Sequence, residues 1–108
     1  MDDLTELLKG ALEGAVLQIL SRGPNYGYEI VKALNQVGFT SVAEGTVYPI
    51  LLRLEKKGLV AVAKVRSELG PPRKLYTLNA DGRAALDVFW QRWDFVDSRL
   101  RLIKGNES

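Results

Sequence analysis

Hydrophobic residues recur at three- and four-residue steps over residues 4–20, which is the period of an amphipathic helix. This first predicted helix ends at Gly23 and Pro24, because glycine favours a left-handed cap and proline cannot continue the hydrogen-bond ladder. The same period predicts a second helix over residues 26–36, with Asn25 as its N-terminal cap.

A third helix is predicted to begin near Glu44 to Thr46 and to run to Lys57, before Gly58. On a helical projection its apolar face carries Val47, Ile50, Leu51 and Leu54. The opposite face carries Tyr48, Pro49, Leu52 and Lys56. Thr46 and Arg53 fall between the two faces, and Pro49 lies close enough to the helix start to be tolerated.

The hydrophobic pattern changes after the third helix. Residues 59–65 have the composition of a strand, residues 70–72 form a Gly-Pro-Pro loop, and residues 75–78 form a return strand. Three helices followed by such a hairpin are typical of a winged helix-turn-helix, in which the third helix enters the major groove of DNA. The hairpin is the predicted two-stranded wing.

A last helix is predicted from a cap at Asn79 to about Lys104. Two series of hydrophobic residues, each with a spacing of seven, interleave as the a and d positions of a coiled coil. This predicted dimer seam consists of Leu86, Phe89, Trp93, Val96, Leu100 and Ile103. We therefore predict a mainly helical α+β fold, with a winged helix-turn-helix over residues 1–78 and a C-terminal dimerisation helix and tail over 79–108, packed as one compact unit.

The net charge is only +2, but the positive charge is concentrated between residues 53 and 74. This stretch has seven basic and two acidic side chains, a net charge of +5. By contrast, residues 1–50 have a net charge of −3 and residues 75–108 a net charge of zero. A local positive cluster of this kind suits the phosphates of double-stranded DNA.

The chain has no cysteine and no histidine, and it therefore lacks thiolate ligands and the commonest general base and metal ligand. We expect no cofactor, no metal site and no enzymatic activity. No apolar run approaches the roughly 20 residues of a membrane span, and the start at Met1 lacks the basic segment of a signal peptide. We expect a cytoplasmic protein without a membrane partner.

Several motifs occur in an order and spacing that resemble the PadR family of transcriptional regulators. They are NYGYEI at 25–30, EGTVYPIL at 44–51, RLEKKGL at 53–59 and RKLYTL at 73–78, followed by Asp81 and Gly82. The resemblance covers nearly the whole chain. Leu52 departs from it, because the family often has a basic or polar residue on the groove-facing side of the third helix.

The candidate DNA contacts lie on the helix-turn-helix and the wing. Hydroxyl groups near a helix N-terminus can donate to phosphate, although Tyr48 could instead pack against the wing. Arg53 could equally pair with Glu29 or Glu55. The candidates are Tyr26, Thr46, Tyr48, Arg53, Lys56, Lys64, Arg66, Arg73 and Lys74.

The four basic wing residues have a second interpretation as an ordinary solvated face. Alternation along a strand puts residues 64 and 66 on the same side, whereas 73 and 74 must diverge. One of that second pair is therefore expected to face elsewhere.

The family resemblance also implies a pocket for a small planar aromatic or cationic effector. In compact members a tryptophan at the position of Trp93 stacks on drugs. The other pocket residues implied by the resemblance are Leu7, Ala11, Gly14, Trp90, Val96 and Asp97. The alternative is that the aromatic residues near Trp93 are plain dimer core.

The sequence thus predicts a homodimer that binds an inverted repeat in DNA, and the resemblance suggests repression that a small effector relieves. The alternative is a winged-helix protein-interaction module without DNA binding, against which the +5 segment argues.

Overall fold

The computed structural model describes residues 7, 8 and 10–105 of the chain. Its elements are α1 (Leu12–Leu20), β1 (Asn25–Tyr26), α2 (Gly27–Gln36), α3 (Glu44–Lys56), β2 (Val60–Val65), β3 (Arg73–Leu78) and α4 (Ala80–Lys104). Leu7 and Leu8 are also helical, but a turn at Gly10 and Ala11 precedes α1. The single helix predicted over 4–20 is therefore interrupted at a glycine, and residues 4–6 lie outside the described part.

The start of α2 differs from the prediction by one residue. Asn25 is not the cap, because it pairs in β1, and Tyr26 takes the N-cap position instead. The backbone N–H of Tyr26 donates to Oε1 of Glu29 at 3.0 Å. This bond satisfies a backbone donor just outside the helix, as the glutamate of a capping box does.

Asn35 fixes the turn between α2 and α3. Its Nδ2 donates to the backbone oxygens of Phe39, at 2.8 Å, and Val42, at 3.0 Å. The helix α3 then continues through Pro49 to Lys56, so the proline is tolerated as predicted. After this turn, α3 lies with one face against the core and the other face in solvent.

The sheet has three antiparallel strands in the order β1-β3-β2, rather than the two strands predicted for the wing alone. Asn25 is opposite Tyr76 and Tyr26 is opposite Leu75, which attaches the start of α2 to β3. The strands β2 and β3 pair from Val60 opposite Leu78 outward to the loop. Pairing with β1 therefore holds the wing against the helix-turn-helix.

A single hydrophobic core joins the helices to the sheet. Its fully buried side chains are Val16, Leu20, Ile30, Leu34, Val47, Leu51 and Leu54. The sheet contributes Val60, Tyr76 and Leu78, and the start of α4 contributes Leu86. Asn79 caps α4 as predicted, since its Oδ1 accepts from the backbone N–H of Gly82 at 2.8 Å.

The observed architecture confirms the predicted fold class, a mainly helical α+β winged helix-turn-helix with a long C-terminal helix. Most side chains of α4 beyond Leu86 are exposed, so only the first part of this helix belongs to the core. In the described part of the chain, no helix combines the length and the apolar character that crossing a membrane requires.

Candidate nucleic-acid interface

The solvent face of α3 carries all four of the contacts predicted on this helix, Thr46, Tyr48, Arg53 and Lys56. The ring of Tyr48 packs against α2 at Gly27, where a Cβ atom would overlap it, and this contact holds the phenol in place. Burial raises the pKa of Tyr48, and the nearby Glu44 carboxylate raises it further. The phenol therefore keeps its O–H as a hydrogen-bond donor at neutral pH.

The outer end of the wing brings two like charges together. Lys64 on β2 is directly opposite Lys74 on β3, so both side chains lie on one face of the hairpin. The same face carries Val62 opposite Tyr76 further in, on the side that covers the core. Arg73 is opposite Val65 on the other face, which confirms that residues 73 and 74 diverge.

Arg73 is tied to an aromatic pair at the start of α2. Its guanidinium carbon lies 5.3 Å from the ring centroid of Tyr28, within the range of a cation–π contact. The rings of Tyr26 and Tyr28 stack with 5.8 Å between their centroids and 8° between their planes. Tyr28 was not predicted as a site residue. The sequence feature that could have indicated it is a pair of tyrosines separated by one glycine at the start of a helix.

An open groove of about 780 Å³ separates α3 from the wing, and we call it the wing groove. Of the predicted DNA contacts it is lined by Tyr26, Tyr48, Arg73 and Lys74. Thr46, Arg53, Lys56, Lys64 and Arg66 lie outside it but are all exposed. Two acidic residues that were not predicted here, Glu44 and Glu55, also line the wing groove.

Arg53 pairs with neither of the acidic residues considered for it. Its Nε lies 3.2 Å from Oε1 of Glu13 on α1, and Nζ of Lys57 lies 3.0 Å from Oε2 of the same carboxylate. Burial tends to raise the pKa of Glu13, but the hydrogen bonds from Lys57 and Arg53 outweigh it and hold the pKa below its ordinary value. Arg53 and Lys57 are therefore partly neutralised from within the chain.

A second groove of about 740 Å³ lies between α1 and α4, and we call it the helical groove. The predicted effector residues that line it are Leu7, Ala11, Gly14, Trp93 and Val96. Phe89 fills its floor: a Cβ atom at Gly14 would overlap the Phe89 ring, whose centroid lies 6.2 Å from that of Trp93. The groove is mostly apolar and open to solvent.

Trp90 and Asp97, the other two residues of the predicted effector set, do not line this groove. The indole N–H of Trp90 donates to Oε1 of Gln18 at 2.8 Å, which links α4 to α1. The Asp97 carboxylate pairs with Nε of Arg101 one turn later at 3.2 Å. Their own partners on α1 and α4 thus hold these two side chains outside the helical groove.

The residues predicted for the dimer seam differ in their exposure to solvent. Leu86 is only 8% exposed and belongs to the hydrophobic core of the chain itself. Phe89 is half-buried against α1. The remaining four are exposed in the protomer, and they are Trp93, Val96, Leu100 and Ile103.

Comparison with known proteins agrees with this architecture. The family model described as "Transcriptional regulator PadR-like family" matches residues 16–88. A crystal structure of a PadR-like transcriptional regulator from Bacillus cereus is 41% identical, covers 94% of this chain and 99% of its own, and superposes with a TM-score of 0.80. A Streptococcus transcriptional regulator is 40% identical, covers 92% of this chain and 97% of its own, and also has a TM-score of 0.80.

Bacillus subtilis PadR, solved in complex with operator DNA, is 25% identical with a TM-score of 0.68. The match covers 77% of this chain but only 48% of that longer protein. The family model spans more than half of the present sequence, and the 41% identity extends over almost the whole of it. The chain therefore belongs to the PadR-like family of transcriptional regulators.

Proposed function

We propose that this chain is a transcriptional repressor that binds an inverted-repeat operator as a homodimer. In this mechanism each protomer inserts α3 into a major groove and lays its wing along the adjacent backbone, and the bound dimer blocks a promoter. The predicted DNA contacts supply hydroxyl and basic groups for the phosphates. The relative solved with operator DNA supports the same use of the fold.

The observation that carries this proposal is the pairing of Lys64 with Lys74 on the face of the hairpin that also covers the core. Two ammonium groups directly opposite each other on a sheet repel and destabilise the pair. A phosphate between them removes this repulsion. The alternative function is a docking surface for another protein. The same positive charge would then require an acidic partner.

The second half of α4 supports the homodimer and gives residues 79–108 their proposed role. It leaves Trp93, Val96, Leu100 and Ile103 exposed on one face at heptad spacing. A single protomer keeps these side chains in water, whereas a symmetric partner helix would bury them. The dimer would then hold two copies of α3 at a fixed separation.

Selection of duplexes from a randomised pool tests the DNA-binding part, with the salt dependence of affinity measured on the enriched duplex. We expect an inverted repeat whose half-site centres lie about 34 Å apart, or a multiple of this, and an affinity that falls steeply with salt. Transcription in vitro from a promoter carrying that duplex should decrease when the protein is added. Enrichment of no sequence would favour the protein-docking alternative, and increased transcription would exclude repression.

We further propose that the helical groove binds a planar aromatic or cationic effector in the dimer. Trp93 is exposed at the edge of this apolar groove, and dimerisation would bring it near its symmetry mate. Aromatic walls of this kind stack on flat ligands and attract cations. An effector that binds the DNA-free conformation of the dimer more tightly than the DNA-bound conformation would release the operator.

The chain has two tryptophans, so a Trp90→Phe variant leaves Trp93 as its only indole reporter. Titration of this variant with acridinium dyes should quench its fluorescence, and the same dyes should lower its affinity for the enriched duplex. Trp93→Ala should abolish dye binding while the protein remains a folded dimer. Unfolding of Trp93→Ala, with no quenching by any dye, would instead assign Trp93 to the dimer core.

A further inference from the structure

The surface of α3 opposite the core is apolar where it is most exposed. Gly45, Pro49, Leu52 and Lys56 lie within about 60° of one another around the helix axis, on the side away from the buried residues. Leu52 is 49% exposed, and a Cβ atom at Gly45 would meet nothing within 4 Å. We call Gly45, Pro49 and Leu52 the apolar stripe of α3.

The apolar stripe offers no side-chain hydrogen-bond donor or acceptor, and Pro49 has no backbone N–H. Pro49 and Leu52 therefore cannot contact a base edge through a side-chain hydrogen bond, although Tyr48 and Lys56 lie next to them on the solvent face of α3. In that groove one standard base presents an apolar group, the C5-methyl of thymine. We infer that Pro49 and Leu52 contact thymine methyl groups and thereby determine part of the operator sequence. This inference rests on the proposed DNA-binding function.

Charge around the stripe favours duplex DNA as its occupant. Lys56 continues the same face one turn after Leu52, and the Lys64–Lys74 pair lies at the end of the wing. A surface that carries both apolar and basic side chains matches a groove whose floor holds methyl groups and whose two edges are phosphates. Leu52 also lines the wing groove, together with the acidic residues Glu44 and Glu55, whereas Pro49 does not.

Replacement of thymine by deoxyuridine tests the inference, because it removes the C5-methyl and leaves the base-pairing groups unchanged. The duplex enriched from the randomised pool would be synthesised with each thymine replaced in turn. At one or two thymines of each half-site we expect affinity to fall about fourfold, the effect of one buried methyl group, and about fifteenfold when both half-sites are changed. Replacement at the remaining thymines should have no effect.

The variant Leu52→Ala should bind the thymine and deoxyuridine duplexes with equal affinity at the thymine that Leu52 contacts, whereas a thymine contacted by Pro49 should stay sensitive. Leu102→Ala, which truncates an exposed leucine on α4, is the matched control and should keep the wild-type sensitivity. Circular dichroism should show both variants folded, since neither side chain belongs to the core.

The inference is overturned if the enriched half-sites contain no thymine, or if wild type binds every deoxyuridine duplex as tightly as the thymine duplex. It is also overturned if Leu52→Ala keeps the full sensitivity. Failure to enrich any duplex is a different result, because it contradicts the proposed DNA-binding function itself.

Discussion

At the scale of single residues, Glu13 partly neutralises the basic cluster between residues 53 and 74. Its carboxylate binds Arg53 and Lys57, so two of the seven basic side chains between residues 53 and 74 are held by α1. Exposed ion pairs of this kind contribute little to stability, about 0–1 kcal/mol each. Their main effect here is to neutralise part of the positive charge of Arg53 and Lys57.

The variant Glu13→Gln tests this network through its pH dependence. The folded-state pKa of Glu13 is lowered, so the ion pairs stabilise the protein above the ordinary carboxyl pKa and are lost as pH falls through the folded value. At pH 7 we expect a loss of about 0.5–1 kcal/mol in the free energy of unfolding, measured with denaturant. The difference from wild type should disappear in acid, and a constant difference would show that packing is responsible.

Gly14 shows a second effect at residue scale, since the ring of Phe89 occupies the space of a missing side chain. Close contact between α1 and α4 depends on this glycine. Gly14→Ala should destabilise the protein by about 1–2 kcal/mol, because overpacking exceeds the gain in helix propensity. Gly45→Ala is the matched control: nothing lies near its Cβ, so we expect no loss and up to about 1 kcal/mol of gain. Equal effects on the two thermal midpoints would contradict the contact.

At the scale of elements, the hydrophobic period predicted α2, α3, α4 and the two strands of the wing to within two residues at most ends. It missed β1, because two residues are too few to show a period and their pairing with β3 is a long-range contact. That contact also explains why Asn25 is not the cap of α2. Heptad spacing alone also could not show that Leu86, a predicted seam residue, packs into the core of its own chain.

The positions of the candidate site residues in the fold were predictable to a similar degree. Charge and helix order identified α3 and the wing, and the helical period separated their solvent face from their core face. The partner of Arg53 could not be predicted, since Glu13 is forty residues away in the sequence. Placement of Tyr28 beside Arg73 likewise depends on how β1 attaches to the wing.

The exposed half of α4 leads to a prediction about assembly. Leu100 and Ile103 are 59% and 81% exposed on the proposed seam, whereas Leu102, 73% exposed, lies on the opposite side of the helix. The double variant Leu100→Glu/Ile103→Glu should sediment as a folded monomer, because it places charges where the partner helix would pack. Leu102→Glu should remain a dimer. A double variant that still sediments as a dimer would place the interface elsewhere.

At the scale of the whole molecule, the protomer measures 57 × 32 × 20 Å along its principal axes. The 25-residue helix α4 extends about 37 Å. The basic wing and the exposed face of α3 form the proposed DNA surface, and the exposed half of α4 forms the proposed dimer surface. In the proposed dimer this separation would allow α4 to determine the spacing of two DNA-binding units without taking part in base contacts.

The central claim is that the wing and α3 together hold DNA phosphates. The most direct test is the slope of log affinity against log salt on the enriched duplex, compared between wild type and Lys64→Ala/Lys74→Ala. In this variant the wing of each protomer loses the phosphate proposed to lie between the two lysines, two phosphates per dimer, so its slope should be less steep by about two units. Arg83→Ala is the control, because Arg83 lies at the inner end of the wing, beyond Leu78, and it should leave the slope unchanged. An unchanged slope in the double lysine variant would contradict the account.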